Sequence, residues 1–246
     1  MRIRLYPLGH LVRMRDRGRG PFRFLVPKPI GMIWYDGILI SIRAFVTGLP
    51  VEYRASRSPV GKPWEIVGKV AAEIHQLPIR SLAERLDLGG YSTRQNQALS
   101  AASQFKKYTV PEIQDALHWI SENLPSKQQS VLIHGDLLGQ NIFRTLEGAL
   151  FVMDWEYSRM GDPAYDLAIV TRGAKKPFQA SGGLDRLIAA YLGSGGQELS
   201  RRDVHVYELL LCLGWYEQSL DRSQGGHGPK QYLNKLRGLL KRLESP

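Results

Sequence analysis

The sequence predicts an α+β protein: a little β structure at the front, a mostly helical body, and two short strands embedded in the middle. Three observations predict it. Asp36-Gly37, a strong hairpin turn signal, separates two apolar stretches. From Ile66 onward, apolar residues recur at three- and four-residue steps. Val131-Leu132-Ile133 and Ala149 to Met153 are apolar runs of strand length.

Taken in order, residues 1–22 are Arg- and Gly-rich, without a period, and read as a loose arm. Val26-Pro27-Lys28-Pro29 reads as an extended approach, because proline pushes its predecessor out of helical geometry. Strands are expected over Ile30 to Tyr35 and Ile38 to Val46, ended by Thr47-Gly48-Leu49-Pro50. Ile66, Val67, Val70, Ala71, Ile74 and Leu77 form one helical face, which Pro78 stops. Helices are expected over Ala98 to Tyr108 and over Pro111 to Leu124, where Pro111 suits a first turn and Pro125 a stop. After the two embedded strands come Leu184 to Leu192, Arg202 to Leu220 and Pro229 to Leu243, separated by glycine loops at 193–196 and 225–228.

Composition narrows the partners. The 246 residues carry a net charge of +10, of which +7 lies in residues 1–30 and +4 in residues 227–246, leaving −1 between. Charge held at the two ends reads as solvated termini, not as the basic folded face of a nucleic-acid-binding domain. Cys212 has no second cysteine to pair with, which fits a reducing cytoplasm. No apolar run reaches membrane-span length, since Arg43 and Arg54 interrupt the best candidate. The expectation is a cytoplasmic protein with neither a nucleic-acid nor a membrane partner, its oligomeric state open.

Polar residues of chemical interest cluster around the embedded strands. His134-Gly135-Asp136 follows the first of them in a tight turn, and Asn141 comes five residues after Asp136. A turn around Glu147-Gly148 leads into the second strand, which ends in Asp154. Hairpin closure would bring these strand ends together. Such a set suits phosphoryl transfer, in which positioning and charge neutralisation carry most of the catalysis. Asp136 suits the carboxylate that orients an acceptor hydroxyl and takes its proton. Asp154 and Asn141 suit the hard oxygen ligands of magnesium on nucleotide phosphates.

The run His134-Gly135-Asp136-Leu137 with Asn141, then Asp154-Trp155-Glu156, then Gly161-Asp162-Pro163 with Asp166-Leu167-Ala168, resembles the aminoglycoside phosphotransferase and choline kinase-like family. The resemblance spans roughly residues 25–245 and is specific in detail over 134–168. It implies a protein-kinase-like fold, with Asp136 as catalytic base and Asn141 and Asp154 as metal ligands. It further implies that His134 braces the catalytic loop and that Asp166 pins that loop from a following helix. ATP and Mg2+ would be the cofactors and a small-molecule hydroxyl the acceptor. Residues 38–48 resemble the family's hinge between lobes, where backbone groups near Ala44 and Val46 would meet adenine. Ile74-His75-Gln76-Leu77 resembles the helix that follows the hinge.

The front departs from the family pattern. Gly18 and Gly20 sit in an arginine run, Lys28 stands between two prolines, and no glutamate occurs before Glu52. Either the chain begins at an internal methionine of a longer protein, or the N-terminal lobe has been lost. The expected division is residues 1–47 as remnant lobe and hinge, and residues 48–246 as the helical C-lobe with the acceptor pocket.

Taken singly, each site residue has a plain alternative: His134 a core histidine, Asp136 and Asp154 turn residues, Asn141 a helix cap. Their order and spacing together favour the kinase-like reading. His75, His118 and His205 read as structural. His227, in a glycine loop, is a lightly weighted site candidate, and Glu208, Glu217 and Asp221 read as solvated helix faces. Two rivals stand beside phosphoryl transfer. A metal-dependent phosphoesterase would draw on several clustered histidines and carboxylates. A non-catalytic pseudokinase-like binding module would not need Asp136, Asn141 and Asp154 together.

Overall fold

The computed structural model describes residues 24–51, 62–78, 92–221 and 228–244. The expected arm over 1–22, Arg54 and His227 lie outside them. Eight strands and seven α-helices are described: β1 (Phe24–Leu25), β2 (Pro29–Tyr35), β3 (Ile38–Arg43), β4 (Leu49–Pro50), α1 (Pro63–His75), α2 (Arg94–Ser103), α3 (Pro111–Glu122), β5 (Val131–Ile133), β6 (Ile142–Arg144), β7 (Leu150–Val152), β8 (Arg159–Gly161), α4 (Ala164–Thr171), α5 (Gly183–Gly193), α6 (Arg201–Ser219) and α7 (Pro229–Leu243).

The front hairpin forms as its turn demands. Asp36 and Gly37 both adopt positive φ, at 48° and 74°, which is the backbone of a two-residue turn whose twist matches the flanking strands. β3 stops at Arg43, three residues short of the expected Val46. At that point its partner is Pro29, which has no N–H, and the Ala44 N–H turns to the Lys28 carbonyl at 2.8 Å.

A second sheet has the order β1-β7-β6-β4. β6 and β7 form an antiparallel hairpin, β4 pairs antiparallel with β6, and β1 lies parallel to β7 with Phe24 opposite Leu150. Phe24 is buried and stacks on Trp155 at 6.1 Å, so the front of the chain joins the core of the helical body. β5 and β8 form a third, antiparallel pair.

Around these strands α1 packs on α5, α4 on α6, and α6 on α7. Their apolar faces make one continuous core that includes Val67, Ile74, Leu167, Leu187, Leu209 and Leu236. Each fully buried Leu or Ile contributes roughly 1.5–3 kcal/mol. α2 begins and ends several residues earlier than expected. Thr93 caps it, accepting the Asn96 N–H at 3.2 Å, and its first turn is polar, so apolar spacing alone places the start too late. The start of α6 is fixed by a reciprocal capping box between Ser200 and Asp203.

Candidate active site

β5 is buried on both faces and drives directly into the His134-Gly135-Asp136 turn. Gly135 has φ 84°, and a Cβ there would sit 2.3 Å from the Tyr157 carbonyl oxygen, so both its conformation and its contact require glycine. Behind the turn, the Asp166 carboxylate in the first turn of α4 accepts the His134 and Gly135 backbone N–H groups, each at 2.8 Å. Its Oδ2 also lies 3.1 Å from His75 Nε2, and His75 Nδ1 lies 3.1 Å from the Tyr191 hydroxyl. Burial pushes the Asp166 carboxyl up. The hydrogen bond and charge of His75, then the charge and N–H of His134, outweigh that and hold it below the usual carboxylate range.

The His134 ring donates from Nε2 to the Met153 carbonyl at 2.7 Å, which leaves Nδ1 to accept the Asp136 N–H at 3.2 Å. Burial holds its pKa down against the pull of Asp166, so the ring stays neutral. Trp155 packs against it at 4.8 Å. His134 therefore ties the end of β5 to the end of β7.

Asn141 closes a short 3-10 turn and is buried. Its Nδ2 donates to the Asp136 carbonyl at 2.7 Å and to the Asp136 carboxylate at 2.9 Å. Its carbonyl accepts the Met153 N–H at 2.9 Å, extending the β6–β7 ladder by one step. Asp154 is thus carried to the same end of the hairpin as Asn141. It is exposed and left-handed, at φ 57° and ψ 59°. Asn141 Oδ1 and the Asp154 carboxylate have no hydrogen-bond partner among the described residues.

Asp136, Asn141, His134 and Asp166 are therefore brought together by direct hydrogen bonds, with Asp154 beside them. Ala44 and Val46 are not bonded to this group. They lie between β3 and β4, and β4 joins the sheet that carries Asn141. The Ala44 N–H is engaged by the Lys28 carbonyl, and its own carbonyl has no backbone partner among the described residues.

A cavity of about 580 Å³ opens beside Asp136, lined by Gln97, Arg159, Tyr165, Trp215 and Gln218 among others. α6 walls it on one side, but Glu208 does not face solvent as expected. It is buried, accepts the Gly173 N–H at 3.1 Å and binds Thr171 and His205. Glu217 binds Lys107 and Tyr108.

Arg94 also belongs to this framework. It is fully buried, 3.0 Å from Asp162 and 3.4 Å from Asp203, and ties the Gly161-Asp162-Pro163 turn to α2 and α6. Nothing in the local sequence marks it, because its partners are distant in the chain. His75 was readable from the Ile74-His75-Gln76-Leu77 resemblance, though not its bond to Asp166.

Fold and site together define a protein-kinase-like phosphotransferase architecture. The model of the phosphotransferase enzyme family matches residues 14–204, and the chain belongs to that family. It is 31% identical over 107 residues to mouse acyl-CoA dehydrogenase family member 10, and 37% identical over 103 residues to human member 11. These matches cover 42% and 39% of this chain and only 10% and 13% of those proteins. Among solved structures, it is similar to a choline/ethanolamine kinase family protein from Mesorhizobium loti (TM-score 0.61, 16% identity, 90% of this chain and 75% of that one). A choline kinase from Streptococcus pneumoniae gives 0.61 at 14% identity, covering 97% and 80%. A spectinomycin phosphotransferase in complex with ADP and spectinomycin gives 0.57 at 15% identity, covering 98% and 79%.

Proposed function

We propose that this chain transfers the γ-phosphoryl group of ATP to a hydroxyl of a small molecule. The observation that carries the reading is the braced turn that sets Asp136 at the mouth of the cavity. Asn141 holds one of its carboxylate oxygens. The other oxygen is left to accept the hydroxyl proton. As the acceptor oxygen bonds to the γ-phosphorus, the bond from that phosphorus to the bridging oxygen breaks. The electron pair leaves with ADP, and the proton passes to Asp136. The ADP bound to the spectinomycin phosphotransferase supports nucleotide use, and the charge held at the chain ends supports a small-molecule acceptor over nucleic acid.

The donor set fits magnesium. Asn141 Oδ1 and the Asp154 carboxylate are two hard oxygens at one hairpin end. No group of three or more His, Cys, Asp or Glu side chains forms a metal cage among the described residues. Magnesium is commonly held by one or two protein oxygens together with substrate phosphates and water. Bound there by Asn141 and Asp154, it would neutralise charge on the phosphates. The same donor set favours this reading over a two-metal phosphoesterase.

Asp136→Asn should lower kcat by about 10²–10⁴-fold with nucleotide affinity nearly unchanged. Asp154→Ala should abolish the magnesium enhancement of nucleotide binding. Turnover near wild type in the first variant, or an intact magnesium effect in the second, removes that residue from its role.

A further inference from the structure

We infer that the acceptor is a hydroxyl compound that also carries an anionic group, a carboxylate or phosphate, and that Arg159 receives it; this rests on the phosphotransfer reading above. Arg159 opens β8 and is registered opposite Ile133, the residue before the His134-Gly135-Asp136 turn. It lines the same cavity as Asp136. Its aim is fixed from two sides: Nη1 donates to the Tyr157 carbonyl at 3.1 Å, and the guanidinium lies over the Tyr165 ring, 4.3 Å from its centre. Tyr165 is itself held edge-on by Tyr207.

What Arg159 lacks is a carboxylate. Arg94 pairs with Asp162 and Asp203, Arg201 with Asp185, and Arg237 with Glu112. No such partner meets Arg159 among the described residues. A guanidinium carries five N–H donors in a planar fork, and one of them is used here. The others have no acceptor among the described residues, and the side chain lines the cavity.

The cavity's acids point the same way. Among the described residues two carboxylates line it, Asp136 and Asp162. Asp162 is already committed, one oxygen accepting the Ala164 N–H at 2.8 Å and the other 3.0 Å from Arg94. Asp136 is reserved for the reacting hydroxyl. A polycation would find no spare counter-ion among the described residues and would face Arg159. A hydroxylated anion would set its hydroxyl on Asp136 and its charge on the guanidinium.

The test uses the full chain with γ-labelled ATP and magnesium. A broad small-molecule extract, freed of nucleotides, is separated by ion exchange into anionic, neutral and cationic pools. A matched six-carbon set is run alongside: gluconate, sorbitol and 1-amino-1-deoxysorbitol. Label should enter the anionic pool. Arg159→Gln and Arg159→Glu should cut that transfer about 10- to 100-fold, the loss expected for a charge-assisted hydrogen bond. Arg159→Lys should keep the preference at lower efficiency. Arg159→Glu should also shift relative rates toward cationic compounds, a change that a merely structural role would not produce. Label confined to the neutral or cationic pool overturns the assignment. So does an equal loss across all acceptors, which would place Arg159 on the transferring phosphoryl group instead. Failure of every pool to take label sinks the phosphotransfer reading and this one with it.

Discussion

Two turns in this molecule are built alike and held differently. The Asp36-Gly37 turn and the His134-Gly135-Asp136 turn each follow an apolar strand, and each needs positive φ. Around the first, the side chains are exposed: Trp34 keeps 53% of its surface and Tyr35 71%. Its strands are held mainly by their own ladder. Around the second, His134 and Asp166 are fully buried; Asp166 and Asn141 bond the turn's backbone, and His75 of α1 holds Asp166 from behind. A glycine turn is sufficient to reverse a chain. Fixing a carboxylate to within a few tenths of an ångström takes buried acceptors that the turn cannot satisfy by itself.

The largest break should come at Asp166. Asp166→Ala leaves two buried N–H groups and His75 without their acceptor, a loss of about 3–5 kcal/mol for a broken buried pair. Trp34→Thr in the hairpin should change stability by no more than about 0.5 kcal/mol. Urea unfolding of both variants measures the contrast, and similar losses would show that the hairpin is tied to the body after all.

A smaller contrast sits in the glycines themselves. Gly37→Ala meets nothing within 4 Å, so only the left-handed backbone opposes it, at about 1–2 kcal/mol. Gly135→Ala adds to the same strain a collision with the Tyr157 carbonyl and should displace Asp136. Its stability loss should exceed that of Gly37→Ala, and turnover should fall only in the Gly135 variant. Equal turnover in the two would mean that the loop has slack.

The smallest effect is in pH. His134 is held neutral below its ordinary value of 6.5, so in mild acid the unfolded chain takes up a proton that the folded chain refuses. Stability should fall as pH drops through 6.5, by at most about 1.4 kcal/mol per unit from this group. Asp166, depressed in the folded state, contributes stability above the usual carboxylate range and loses it at lower pH still. Denaturant midpoints at pH 7.5, 6 and 5 check the sign, and a flat profile would contradict the buried neutral ring.

The sequence showed the hairpin turn, most helices and the order of the site residues, because each is written in local spacing. Pro111 and Pro229 start their helices where expected, and β5 matches its apolar run. α4 was legible only through the family resemblance. It is short and buried on most sides, so it has no amphipathic period to read. β8 escaped for a related reason: Arg159, Met160 and Gly161 do not look like a strand until β5 lies beside them. The bonds of His75 to Asp166, Arg94 to Asp162 and Glu208 to Thr171 could not be read at all, since each spans at least 37 residues and forms only when distant helices pack.

The parallel seating of β1 on β7 has a kinetic consequence. Phe24 and its partner Leu150 are 126 positions apart. The pairing closes over α1, α2, α3 and β5 for a ladder of only two residue pairs. Entropy defers such a closure until the body it docks on exists. β1 should therefore be among the last pieces to settle and among the first to leave, so a weakened Phe24 would speed unfolding and leave the folding rate almost unchanged. Phe24 stacks on Trp155, and Trp155 packs on His134. The aromatic wall behind the His134-Gly135-Asp136 turn is thus sealed by a latecomer, and full order at that turn marks the final step of assembly.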